Sequence, residues 1–175
     1  MPLGFVKTYN GSQTDHHWVS SNWDPVPLLT VSLQQDITIP RRVQLVNVRC
    51  FSLCAGITSV VFEHKPTDPV VVIRFEAFGG CSNLRTVTLP PNLPWIPRYF
   101  FLHCTRLTNI PIPNAVRVIA HCAFQQCVAL RSIILSENMT GIGYDAYWGC
   151  KSLKTVVINR RPYNSEQAYF RIVLY

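Results

Sequence analysis

The chain has 175 residues, 48% of them hydrophobic, and a formal net charge of +7 from 16 Lys and Arg against 9 Asp and Glu. That length and apolar content suit one domain with a continuous core. No uninterrupted apolar run reaches the ~18–20 residues that a membrane helix needs, and Met1 to Gly11 lacks the apolar stretch of a secretory signal.

Residues 1–27 hold Trp18, Trp23 and the turn-forming pair Asp24 and Pro25 among Gly, Ser, Asn and Gln, and are expected to form an N-terminal arm or cap. From residue 28 to residue 160 an internal repeat governs the chain. Its anchors are Cys54, Cys81, Cys104, Cys127 and Cys150, with gaps of 27, 23, 23 and 23 residues. Three places before each stands an aromatic (Phe51, Phe78, Phe101, Phe124, Tyr147), and three places after stands an aliphatic (Ile57, Leu84, Leu107, Leu130, Leu153). Self-similarity at such a period marks a solenoid, whose units bury their apolar faces only by stacking.

Counting from the cysteine as zero, apolar residues fall at minus 4, minus 3, zero and plus 3, the spacing of one face of a short helical turn. The period then becomes two, with apolar pairs at plus 6 and plus 8 (Val60/Phe62, Val87/Leu89, Ile110/Ile112, Ile133/Leu135, Val156/Ile158), which predicts a short strand. Pro90 and Pro113 at plus 9 end two of these strands, because proline cannot donate to a ladder. A further apolar residue at minus 8 (Val46, Ile73, Ile96, Ile119, Ile142) closes each coil.

Five full repeats occupy 43–160, and a degenerate unit at 28–42 places Leu28, Val31, Ile37, Ile39 and Pro40 on repeat positions, with Gln34 in the aliphatic slot. The longer first gap predicts a loop around His64 to Pro69. The tail at 161–175, with Tyr163, Tyr169, Phe170 and Tyr175, is expected to cap the last coil and cover an otherwise open strand edge.

The run from Ile73 through Ala77, Phe78, Cys81, Leu84, Val87 and Leu89 to Pro90 resembles the BspA-type leucine-rich repeat. The resemblance implies an α/β leucine-rich-repeat solenoid: a curved right-handed coil with a parallel sheet on the concave face and short helical turns on the convex face. It implies a binding style, ranging from surface adhesion to intracellular roles, and no catalytic residues.

Five of the seven cysteines share one interior slot, and Cys50 and Cys122 leave an odd total, so reduced structural thiols and an intracellular compartment are expected. Cys50 with Cys54 and Cys122 with Cys127 lack the second ligand pair of a zinc site. The histidines are scattered over different repeat positions, and no nucleophile, glycine-rich phosphate loop or carboxylate pair shares a register. No cofactor, metal or enzymatic activity is expected.

The surface is more informative. The plus 5 and plus 7 residues point away from the core and include Thr86, Thr88, Asn109, Ser132, Ile134, Thr155 and Val157, small polar groups that turn apolar toward the C-terminus. Trp95, Tyr99 and Trp148 fall on positions expected to face solvent opposite this strip, as do Leu102, Val128 and Ala129. Arg85, Arg131 and Lys154 share plus 4 and predict a basic edge able to attract acidic proteins, nucleic acid or an anionic membrane surface. The expected function is a protein-interaction module, a scaffold or accessory subunit of a larger assembly; an adhesion-type surface protein and an anionic-surface binder are the alternatives.

Overall fold

The structure, a computed structural model, describes residues 17–18, 36–159 and 169–172. Most of the expected arm at 1–27, most of the degenerate unit and most of the C-terminal cap lie outside the described residues. Each repeat forms one coil with two walls. Strands β2 (Asp36–Ile39), β4 (Ser59–Phe62), β6 (Thr86–Thr88), β9 (Ser132–Leu135) and β11 (Thr155–Asn159) build a long-strand wall. Strands β3 (Leu45–Val46), β5 (Val72–Ile73), β7 (Trp95–Ile96), β8 (Val118–Ile119) and β10 (Gly141–Ile142) build a short-strand wall. At the two ends β1 (His17–Trp18) pairs parallel with β3, and β12 (Tyr169–Ile172) pairs antiparallel with β11. Every pairing between coils is parallel and joins equivalent repeat positions, as with Val60 to Val87 and Ile133 to Val156.

The predicted core positions from Ile37 to Leu153 are buried, except Ile142, which is partly buried and packs against the core. The aromatic column stacks from coil to coil, with ring centroids 5.1 Å apart for Phe51 and Phe78, 5.4 Å for Phe101 and Phe124, and 5.5 Å for Phe124 and Tyr147. Phe100 takes the minus 4 slot that Ala77, Ala123 and Ala146 fill elsewhere, and it packs edge-on against Phe78 with centroids 5.4 Å apart.

The expected helical turns on the far side do not form: no helix is found among the described residues. The minus 4, minus 3, zero, plus 3 spacing instead serves a chain of tight turns. Residues at minus 5 and minus 1 sit in the left-handed region in every coil, as Arg49 and Leu53, Glu76 and Gly80, Tyr99 and His103, Cys122 and Gln126, Asp145 and Gly149. A helix cannot pass through such residues, whose conformation costs roughly 1–2 kcal/mol each unless they are glycine. The amide hydrogens explain why the turns win. Those at minus 5, minus 3 and minus 1 donate to the next coil, as Glu76 to Arg98, Phe78 to Phe100 and Gly80 to Leu102, while those at zero and plus 3 close turns within the coil, as Cys81 to Phe78 and Leu84 to Cys81. A helix would keep its amide bonds to itself and leave successive coils unlinked on this side.

The extra residues of the long repeat fold back onto the body. Asp68 holds the Arg41 guanidinium and accepts from the Lys65 amide at 2.7 Å, and buried His64 meets the Val43 carbonyl at 2.8 Å through Nε2. The Arg41 hydrogen bond holds the Asp68 carboxyl well below the usual carboxylate range.

Both walls are interrupted at one junction. The strands form four separate three-stranded sheets, and each wall divides between the Cys81 coil and the Cys104 coil. Four prolines account for it. Where other coils donate an amide to the preceding coil, the Cys104 coil has Pro94 (compare Arg117 to Pro94), Pro97 (compare Ala120 to Ile96), Pro113 (compare Glu63 to Ile39) and, two residues before Pro113 on the same side of the long strand, Pro111. Each lacks the donor. Across this junction the turn ladder continues, joined by the Cys104 thiol to the Phe78 carbonyl and the Thr105 hydroxyl to the Ser82 carbonyl.

Alternate amides along a strand point to opposite neighbours, so those of Val87 and Leu89 face the proline-bearing coil. In native-state hydrogen exchange they are expected to exchange at least about tenfold faster than their equivalents Val60 and Ile133. Equal protection at the four amides would show that the junction is as tightly bonded as the rest.

Candidate functional site

The thiols offer the densest chemistry. All seven are free and buried. Those of Cys81, Cys104, Cys127 and Cys150 each donate to the carbonyl of the aromatic in the preceding coil, at 3.0 Å to Phe51, 3.2 Å to Phe78, 3.1 Å to Phe101 and 3.0 Å to Phe124. The repeated cysteine is therefore a small apolar filler that also caps a turn carbonyl, a structural duty that explains its period. Cys122 differs. Its sulfur lies 3.3 Å from Nε2 of His121, whose Nδ1 bonds the Tyr144 carbonyl at 2.7 Å. Burial and the Asp145 carboxylate push this thiol up, which opposes formation of a nucleophilic thiolate. Among the described residues no group of three His, Cys, Asp or Glu side chains could hold a metal ion.

On the long-strand wall the alternation places Thr86, Thr88, Asn109, Ser132 and Ile134 outward and exposed, with Val157 half-buried. Ile134 is 63% exposed and registers beside Val157 on the next strand, so the apolar end of this face is a contiguous pair. Thr155 registers beside Ser132. The column is broken between Thr88 and Asn109 by the proline junction, and Asn109 keeps only a bridge to Ser132.

Arg85, Arg131 and Lys154 are all exposed, and their amides bond to the plus 4 carbonyl of the preceding coil, so the column is aligned through the backbone. Thr108 separates Arg85 from Arg131, leaving Arg131 and Lys154 as the adjacent pair. The two ion pairs among the described residues, Arg41 to Asp68 and Arg49 to Glu76, lie toward the other end.

Trp95, Tyr99 and Trp148 do not form one surface. Trp95 is the outward residue of β7, between the outward valines of β5 and β8. Tyr99 is half-buried in a turn, with Arg98 over one face and the His121 ring 5.7 Å away. Trp148 is exposed two coils farther on, near the 88%-exposed Tyr144. Leu102, Val128 and Ala129 are half-buried. Sequence reasoning missed the valines beside Trp95; the signal was the minus 9 column, which reads Leu45, Val72, Trp95, Val118, Gly141 one step from the buried minus 8 residues.

A family model for the BspA type leucine rich repeat region matches residues 63–172 in 6 copies. Three solved bacterial structures are similar. The T. pallidum leucine rich repeat protein is 28% identical, with a TM-score of 0.64 over 69% of this chain and 57% of that one. A leucine rich cell surface protein from Faecalibacterium prausnitzii is 23% identical, with a TM-score of 0.57 over 78% and 42%. The pneumococcal vaccine antigen PcpA is 18% identical, with a TM-score of 0.57 over 77% and 42%. The last two likenesses speak to the fold alone. The chain thus spans between 42% and 57% of the length of these three proteins. None of the curated proteins matches it. No helix of the described residues is long and apolar enough to cross a membrane.

Burial also sets how most of the thiols titrate, Cys150 being the exception, lowered by hydrogen bonding with the Cys127 thiol. It pushes Cys50 up to about 12 and Cys54 up to about 11, and it raises Cys81, Cys104 and Cys127 as well. A thiol whose folded pKa exceeds its unfolded value supports folding in full below the unfolded pKa, and that support is lost as pH rises through the folded one. Unfolding free energy measured by denaturant titration is expected to fall steadily from about pH 9 toward pH 11, where the unfolded chain ionises its thiols and the folded chain does not. A flat profile over that range would contradict the burial of the column.

Proposed function

Because the chain belongs to the BspA-type leucine-rich repeat family, we propose that it is a non-enzymatic protein-docking module, serving as a scaffold or accessory subunit through its long-strand wall. The observation that carries this is Ile134, 63% exposed in mid-strand and registered beside Val157 at the end of a column of small hydroxyl and amide groups. An aliphatic pair within adaptable hydrogen-bonding groups has the composition of an interface core with its polar surround.

A second reading has a specific observation of its own. Arg85, Arg131 and Lys154 are aligned, exposed and without a carboxylate partner among the described residues, which favours attraction of an anionic polymer or membrane surface. As to compartment, the intracellular expectation rested on reduced thiols. Burial and coil geometry account for those thiols in any compartment, so that expectation has no support left. A surface setting is the alternative, in keeping with the description of the F. prausnitzii relative as a cell surface protein.

Ile134→Asp and Val157→Asp separate the two readings from charge reversal at Arg85, Arg131 and Lys154. Under the docking reading, a protein captured by the intact chain at about 0.5 M salt is lost with either aspartate, by about 2 kcal/mol or roughly thirtyfold in affinity, and persists after charge reversal. Capture that disappears at that salt or with the reversed charges, and ignores the aspartates, would transfer the function to the basic edge.

A further inference from the structure

The short-strand wall carries a second surface, with its own composition. Val72, Trp95 and Val118 are the outward residues of three successive coils, 45%, 46% and 40% exposed, each one step from a buried isoleucine. Trp95 registers directly beside Val118, and Val72 holds the same repeat position one coil earlier. Val70 and Phe75, exposed at either end of the Val72 segment, widen the apolar area. In all five coils the stretch from minus 11 to minus 6 contains no Asp or Glu, while it contains Arg74, Arg98 and Arg117. Arg117 precedes the outward residue of its strand, and Arg74 and Arg98 follow those of theirs, so positive charge stands on both sides of the apolar column. All three are exposed, and none is in an ion pair among the described residues.

We propose that the Val72, Trp95 and Val118 column is the docking surface for an extended, acidic segment of a partner protein, whose apolar side chains lie over the tryptophan and whose carboxylates meet Arg74, Arg98 and Arg117. A tryptophan between aliphatics is the residue type that anchors interfaces. Flanking arginines present forked donors matched to carboxylates. A bilayer fits less well, because these side chains are more than half sunk in the wall and an interfacial anchor must reach roughly 5–10 Å into the headgroup boundary. The inference rests on the docking-module reading but uses a different face, so the two can fail separately.

The test pans the full chain against a displayed library of random dodecapeptides near physiological salt, then measures the selected peptides against variants by fluorescence titration. Selected peptides are expected to interleave Asp or Glu with aliphatic or aromatic residues. Their affinity should drop at least about tenfold with Trp95→Ala, and comparably with Arg74→Glu combined with Arg117→Glu, while Ile134→Asp leaves it unchanged. The arginine variant alters only exposed groups and keeps the test decisive if the tryptophan variant folds poorly. Absence of selected peptides, peptides without carboxylates, or binding indifferent to Trp95 and the arginines would overturn the proposal. So would Trp95-dependent binding to phosphatidylserine vesicles without peptide binding, or a Trp95-dependent dimer of this chain. Peptide binding that survives while Ile134-sensitive capture fails would remove the long-strand reading alone.

Discussion

The fold depends on an alternation of amide hydrogens along the turns. Between minus 5 and zero, one set of amides closes tight turns within the coil and the interleaved set reaches the next coil. This arrangement requires left-handed residues at minus 5 and minus 1, and eight of them are not glycine. In the four coils from Cys54 to Cys127 their conformational cost is offset because each such amide gains a partner in the following coil instead of facing a buried layer unbonded. The aromatic stack and the thiol column follow from the same spacing. Coils linked by a ladder sit one strand-width apart, which places ring over ring and the thiols of Cys81, Cys104, Cys127 and Cys150 against the carbonyls of the preceding coil.

That constraint explains which features were legible in the sequence. The periods gave the buried columns and the plus 6 to plus 8 strand, because burial shows in residue type, whereas the minus 8 residue read only as an apolar closure and the short strand it belongs to did not show. Thr86, Ser132, Ile134 and the plus 4 bases fell on exposed positions for the same reason. The turns were misread as helix because minus 4, minus 3, zero and plus 3 are also the positions of one helical face. What separates the two is where the amides point, and residues such as Arg49, Tyr99 or Cys122 carry no visible mark of a left-handed backbone. Gly80 and Gly149 at minus 1 were the available sign, but Leu53, His103 and Gln126 in the same column obscured it.

Proline was legible only in part. Pro90 and Pro113 read as strand ends, whereas the significance of Pro94, Pro97, Pro111 and Pro113 lies in their belonging to one coil and occupying the side that would bond backward. Any one of them would cost a local bond; together they separate both walls at the same junction. The apolar interior does not register the break, since Phe78 contacts Phe100 and Phe101 across it. Hydrophobic packing is indifferent to the amide pattern that β pairing requires, so a junction can be fully buried and still lack its ladders.

Both candidate faces cross this junction. On the long wall it separates Thr88 from Asn109, and on the short wall it separates Val72 from Trp95. A ligand along either column therefore bridges two blocks whose walls are not hydrogen-bonded to each other, and whose relative placement is held by the turn ladder, the Cys104 thiol and the aromatic layer. The basic edge is divided in the same way, with Arg85 on one block and Arg131 and Lys154 on the other. Contacts made on both blocks restrain the junction as well as the ligand, so their contributions are coupled rather than additive. Trp95 stands on the first strand after the break, where it belongs to the ladder of Val118 and faces the column of Val72. Its exposed indole is thus placed where a bound segment would span the largest gap in the wall's own hydrogen bonding.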